Sequence, residues 1–359
     1  RLLRETPLRE KYGSMLLESI GGGDGKLDLA FALPIARTGE FSLDGTLTLD
    51  KATLNNPGLG LDFTDIGGIV EITHEGVSAR RLDALFLDSP IHSSISQSAW
   101  STRIHNYGVL DTRRIKRQFP FLSWLPVDGT SAWNLAVYVP RRRPGPARPL
   151  VVEARSALEG TRVSLPLGLG KAAEGTRSLD AKITLSDGRP RDIELTLDEL
   201  RLAAERIETG GWAARLQSPV ATGNLHLPDS TAQPIRADLE RISLQLDATA
   251  LGSKATMQAG DGDTTPTDIP SIDLTAGEVV LNGHPYGELS ARARRLDAGI
   301  RLEELTLGSD KGQLRLQGEW LTIPEGQRTS LDVDIDTTDL GQTLKDFALS
   351  AATQDGSGT

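Results

Sequence analysis

Lys26-Leu27-Asp28-Leu29-Ala30-Phe31-Ala32-Leu33-Pro34-Ile35 places an apolar side chain at every second position, at Leu27, Leu29, Phe31, Leu33 and Ile35. A period of two sends these side chains to one face of a strand and their neighbours to the other. The pattern returns in Phe41, Leu43, Gly45, Leu47 and Leu49, in Leu59, Leu61 and Phe63, and in Leu135, Val137 and Val139. It continues through Ile193, Leu195 and Leu197, and through Ile242, Leu244 and Leu246. Near the far end Leu331, Val333 and Ile335 alternate with Asp332, Asp334 and Asp336. One sheet face is therefore apolar over most of the chain, and whatever covers it decides what the protein does.

At the usual strand length the chain holds roughly twenty strands. Spaced by about 4.8 Å, they would make an unbroken sheet on the order of 100 Å long. Open sheets of that size curl, so the expected outcomes are two stacked sheets, a solenoid or a trough. A β-helix needs a fixed short repeat, which is absent, leaving trough or sandwich. The fold class expected is mainly β: a long, strongly curved, antiparallel-rich sheet forming an elongated hydrophobic groove, with a few short helices.

The helices interrupt the alternation. Thr6-Pro7 starts one whose apolar positions are Leu8, Tyr12, Met15, Leu16 and Ile20, and Gly21-Gly22-Gly23 ends it as a linker. A second covers Thr112–Gln118, capped by Asp111 and stopped by Pro120. A third is suggested by Leu340, Leu344, Phe347 and Ala348. Arg141-Arg142-Arg143-Pro144-Gly145-Pro146 is the clearest loop, and the Asp/Thr/Pro-rich stretch 260–270 the next. The expected division is a helical segment 1–22, a first part of the groove 23–140, a loop 141–149, a second part of the groove 150–337, and a helix and tail 338–359.

Composition narrows the function. Of the 359 residues 38% are hydrophobic and 25% charged, enough of each for a folded chain with a core. Aromatics are only 4%, so the apolar face is aliphatic and suits acyl chains as well as an ordinary core. A net charge of −10 argues against a nucleic-acid partner. With no cysteine, disulfides, thiolate metal sites and a cysteine nucleophile are excluded. No run approaches the roughly twenty apolar residues of a membrane span. The opening Arg1-Leu2-Leu3-Arg4-Glu5 is no signal peptide, and the chain reads as a piece of something longer.

Chemistry-bearing motifs are sparse. The five histidines, His74, His92, His105, His226 and His284, form no His-x-His or His-x3-His pair. Gly21-Gly22-Gly23-Asp24-Gly25-Lys26 lacks the Ser or Thr, and the following helix, of a phosphate loop. Asp261-Gly262-Asp263 opens like a calcium loop, but Ile272 stands where the bidentate Glu belongs. The acidic residues alternate along strands as a solvated face, and no pair stands out as acid and base. Arg113, Arg114, Lys116 and Arg117 could touch anionic head groups, although such a run is usually a solvated helix face. No enzyme, catalytic residue, metal or cofactor is expected.

Val127-Asp128-Gly129-Thr130-Ser131-Ala132-Trp133 with the strand after it, Ser156-Ala157-Leu158-Glu159-Gly160, and Leu165-Pro166-Leu167-Gly168 with Lys171 are phrases that resemble the AsmA-like envelope proteins of Gram-negative bacteria, specifically the YhdP branch. Trp212 followed by Thr222-Gly223-Asn224-Leu225-His226-Leu227-Pro228 is another. The densest match runs from Ile269-Pro270-Ser271-Ile272-Asp273-Leu274 through Asn282-Gly283, Gly287-Glu288-Leu289 and Gly299-Ile300-Arg301-Leu302 to Gly318-Glu319-Trp320. Each phrase is only strand, turn and strand; their order and spacing over about 127–340 carry the resemblance.

The resemblance implies an internal fragment of a bridge-like lipid transfer protein. Its parent would be periplasmic and anchored in the inner membrane of a Gram-negative bacterium. It would reach membranes through parts missing here and carry phospholipid between inner and outer membranes, acyl chains in the groove. It brings no catalytic residues. The expected lipid-groove lining is Leu27, Leu29, Phe31, Leu43, Leu47, Leu61, Phe63, Leu135, Val137, Ile193, Leu195, Ile242, Leu244, Ile272, Leu274, Leu302, Leu314, Leu316, Val333 and Ile335. Each is equally readable as a plain core position, because alternation defines a face and not what it meets. Against transport stand a non-transporting structural or assembly factor of the envelope, a chaperone that adds client strands to its edges, and, last, a polysaccharide lyase. Nothing in the sequence names a protein partner.

Overall fold

A computed structural model describes residues 20–32, 42–57, 60–74, 76–123, 125–141, 148–165, 169–186, 188–230, 232–244, 266–309 and 312–337. Twenty strands belong to one sheet. The chain divides into two compact units, 1–161 with 173–195 and 162–172 with 196–359.

The first unit begins with β1 (Ile20–Ala32), β2 (Ser42–Asn56), β3 (Leu61–Thr73), β4 (Gly76–Phe86), β5 (Ser89–Gln97) and β6 (Ser101–Asp111). A short helix, α1 (Thr112–Gln118), and a 3-10 turn (Pro120–Leu122) precede β7 (Val127–Pro140), β8 (Leu150–Ser156), β9 (Thr161–Val163, of which Thr161 belongs to this unit), β10 (Leu179–Ser186) and β11 (Arg189–Leu197, in this unit as far as Leu195). From β1 to β8 each strand pairs antiparallel with the next, and β10 joins the free side of β8. Arg141–Pro149 therefore connects two directly paired strands, Val137 opposite Val152, and the ladder runs past it.

The expected helix α1 is present. Asp111 caps it, accepting the Arg113 backbone N–H at 2.8 Å. The Asp111 carboxyl is held below its usual range: partial burial would raise it, but the bonds from the Arg113 N–H and guanidinium outweigh that. Arg114 donates to the Leu87 carbonyl and Asp88, and Gln118 to the Gly60 carbonyl, so α1 is bolted across two turns at one end of the strands.

The glycine run at the N-terminal side is not a linker. Gly21 to Gly25 lie inside β1 and pair with β2. The register slips between Gly22 and Asp24, opposite Lys51 at φ 51°, and a Cβ on Gly23 would fall 2.6 Å from the Ala52 backbone. Glycine here admits a bulge rather than a break. The helices expected over residues 1–20 and near Leu340–Ala348 lie outside the described residues, Ile20 excepted, which opens β1.

Two phrases far apart in the sequence meet in this unit. Gly129 (φ +131°) and Gly160 (φ +84°) pack backbone against backbone, and the Thr130 N–H donates to the Gly160 carbonyl at 3.0 Å. Around them Thr161 donates to the Ser131 hydroxyl at 2.8 Å, Ser156 to the Ala132 carbonyl at 2.8 Å and Thr112 to the Gly129 carbonyl at 3.0 Å. Buried hydroxyls survive because each finds a partner.

The second unit holds β12 (Leu200–Arg206), β13 (Trp212–Gln217), β14 (Ala221–Leu227), β15 (Ile235–Leu244), β16 (Ile272–Leu281), β17 (His284–Leu296), β18 (Gly299–Ser309), β19 (Gly312–Ile323) and β20 (Gly326–Thr337). Neighbours pair antiparallel except β15 and β16, which are parallel, Ile235 opposite Ile272 and Leu244 opposite Leu281.

Candidate functional site: the apolar face of the sheet

Residues opposite one another on paired strands share a face. In the first unit one such line runs Leu27, Leu47, Val70, then, by packing, Ala79, and onward through Ile95, Ile104, Val137, Val152 and Ile183. The parallel line beside it runs Leu49, Gly68, Leu82, Ser93, Asn106, Leu135, Ala154 and Ala181. Its polar step is internal: Ser93 donates to Asn106 Oδ1 at 2.7 Å. A second polar step, Gln97 opposite Thr102, flanks the other side, with Gln97 donating to the Val77 carbonyl. At the α1 end Phe63 stacks on Phe86 with centroids 5.0 Å apart.

In the second unit the corresponding line is Ala204, Ala214, Leu225, Ala237, Leu274, Ala291, Leu305, Leu316 and Val333, apolar on all nine strands. The line beside it runs Leu202, Leu216, Gly223, Leu239, Ala276, Leu289, Leu307, Leu314 and Ile335. Ile242, Ala276, Val279, Leu281 and Leu307 form its buried cluster, with Leu244, Leu274 and Leu314 packed against them.

The opposite face is polar and laced with exposed ion pairs, Arg155–Asp180, Lys182–Glu194, Arg241–Glu278 and Arg301–Glu319 among them. Lys182–Glu194 fixes the orientation of β11, since alternation then puts Ile193 and Leu195 on the apolar face. Asp229, at the strand end beside Arg206 and not on this polar face, is held below the usual carboxylate range by the Arg206 hydrogen bond and, against some burial, by the Gly211 N–H. Asp83 is lowered likewise by bonds from Arg81 and His92. Such pairs keep this face hydrated and add little stability.

The expected lining residues fall on the apolar face of their own unit. Leu27, Leu29, Leu43, Leu47, Leu61, Phe63, Leu135, Val137, Ile193 and Leu195 belong to the first. Ile242, Leu244, Ile272, Leu274, Leu302, Leu314, Leu316, Val333 and Ile335 belong to the second. Phe31 pairs with Leu43 in β1, and its side chain lies outside the described part. Only Ile193 and Ile242 are fully buried; Leu29 (43%) and Val333 (58%) are exposed, and the remainder are half-buried. A closed two-layer core would bury most of them. Half-burial within a single sheet means these side chains shield one another and still meet solvent.

Alternation alone missed Val279, Leu281, Leu305 and Leu307. Register shifts at Ala276/Val279 and Leu302/Leu305 move the apolar set by an odd number of residues, so counting by twos from Leu302 lands on Glu304. An open concavity of about 730 Å³ at the β1–β3 edge is lined by Leu27 and Ile72 together with Asp28 and Glu71, residues of both faces, and is no enclosed site.

The profile of the YhdP family, described as YhdP protein, matches the chain twice, over residues 1–198 and 181–359. The chain belongs to the YhdP family. No curated protein and no solved structure matches it. The two YhdP matches overlap in 181–198, the stretch that also holds the boundary between the compact units at Leu195/Thr196. YhdP proteins are cell-envelope proteins, and no helix among the described residues is long and apolar enough to cross a membrane.

Proposed function

We propose that this chain is a periplasmic segment of a bridge-like lipid transfer protein that carries phospholipid between inner and outer membranes, its parent being anchored in the inner membrane. The observation that supports this most is the half-exposed apolar face, repeated strand after strand in each unit and flanked by a hydrated polar face. Acyl chains bind such a surface by burial alone, worth about 0.8 kcal/mol per CH2, without any directional contact. Successive lines of Leu, Ala and Val are chemically alike, so a lipid can move from one to the next with little change in free energy. No bond is made or broken, and the residues act by excluding water.

The test is photocrosslinking in cells, with a photoreactive residue placed in turn at Leu29, Leu195 and Leu244, and at Asp28, Glu194 and Gln245. Phospholipid adducts are expected at the three leucine positions and not at their polar neighbours. Absence of adducts at all six would overturn the reading and leave a non-transporting structural or assembly factor of the envelope in its place.

A further inference from the structure

Charge is spread unevenly along the chain. Residues 101–150 contain nine Lys and Arg and only two Asp and Glu, an excess of seven positive charges in a chain of net −10. Among the described residues of the first unit, most of these cations stand at the two ends of the same strands. At one end stand exposed Arg117, half-buried Lys116 and exposed Arg113, the last ion-paired with Asp111 and Asp128, on the helix that follows β6. At the other, beside the turn before β6, Arg148 lies over the ring of Trp100 at 4.7 Å, and Arg141 donates to the Ser98 carbonyl at 3.0 Å. Trp100 is 52% exposed, an aromatic surface left in water with a guanidinium on it.

Strand ends are where a side chain borders the apolar face without lying in it. A phospholipid with its acyl chains on that face must put its phosphate in water near this border. Between the two basic ends the face itself changes character, at Ser93–Asn106 and Gln97–Thr102. Polar side chains there tolerate a glycerol ester better than a purely aliphatic floor does. Arginine matches phosphate oxygens with paired N–H donors, and an exposed tryptophan suits the boundary between chain and head group.

We propose that the strand ends around β5–β8 form a head-group station that selects net-anionic phospholipids over zwitterionic ones. This rests on the lipid-carrying reading above and adds to it a substrate class. Cations at either strand end attract the extra negative charge of a phosphatidylglycerol held there, whereas phosphatidylethanolamine brings its own ammonium.

The experiment uses the full 359-residue chain, incubated with vesicles of equal parts phosphatidylethanolamine and phosphatidylglycerol, then separated and examined by native mass spectrometry. Phosphatidylglycerol is expected to be enriched on the protein by at least about fivefold. The enrichment should fall toward one in about 0.5 M salt, where charge is screened within a few ångströms. It should fall likewise in the triple variant Arg113→Gln, Arg117→Gln, Arg148→Gln. The salt arm needs no variant and stands even if the triple variant misfolds. Bound lipid with equal head groups would overturn the selection while leaving lipid carriage intact. Enrichment that survives both salt and the substitutions would place selection elsewhere and also overturn it. Sedimentation with vesicles without extracted lipid would make the patch a bilayer-docking surface instead. No bound lipid under any condition would remove the lipid-carrying reading, and this proposal with it.

Discussion

Each unit holds its own apolar face together, and the two do so by different means. In the second, two neighbouring lines cross nine strands each without a polar side chain, and the cluster at Ile242, Val279 and Leu281 is buried to 4% exposure or less. In the first, one of the two lines is broken at Ser93–Asn106, a further polar step at Gln97–Thr102 flanks the other, and a knot of hydroxyls at Thr112, Ser131, Ser156 and Thr161 closes one end. One unit relies on non-directional burial and the other adds hydrogen bonds that fix position. A surface that only has to slide a chain along needs the former. The polar breaks coincide with the stretch where positive charge concentrates, so the unit with directional bonds is also the one with something to recognise.

The sharpest way to break this contrast is Val279→Asp. An unpaired carboxylate inside the second unit's cluster should cost more than about 4 kcal/mol. Hydrogen exchange should show protection lost in β15–β18 first, with β4–β7 affected less; uniform loss would mean the units are not distinct. Next in size is Gly129→Ala. A Cβ there meets the Gly160 carbonyl and lies 2.8 Å from Thr161 Cα, at a φ of +131°. A cost of about 2–3 kcal/mol is expected in thermal melts, and a change near zero would mean the knot does not hold the first unit. The smallest effect is Asn106→Ala, about 1 kcal/mol from the stranded Ser93 hydroxyl. The double variant with Ser93→Ala should recover most of that; if it does not, the pair is not an isolated polar step.

Much of this was legible because strand alternation is strict. Leu27, Leu47, Ile272 and Leu316 can be assigned to the apolar face from their neighbours alone, and Asp111 before Thr112 announces α1. What alternation cannot show is where it slips. Lys51 and Asp65 adopt positive φ, both at 51°, at slips in the register, and no residue type demands this as glycine would. A register shift between Leu302 and Leu305 hid Leu305 and Leu307, and the glycines of β1 read as a break because the bulge they admit is equally silent in the sequence. The meeting of Gly129 with Gly160 was invisible too, since backbone contact leaves no period in the sequence. The charge excess of residues 101–150 was countable, but its division between the two ends of β6 needed the fold.

The parallel pairing of β15 with β16 also bears on how the chain is made. Along most of the ladder a strand finds its partner one turn away, so each could zip onto its predecessor as it emerges, with little loop entropy to overcome. At Leu244 that stepwise growth stops, because Ile272 cannot dock until the whole crossover has been threaded and returned to the starting end of β15. As it has where β10 reaches past β9 to pair with β8, assembly thus has a non-local step here. It is also the moment at which β15 waits as an unpaired edge, and where a chaperone or a crowded compartment would act on the nascent protein most strongly.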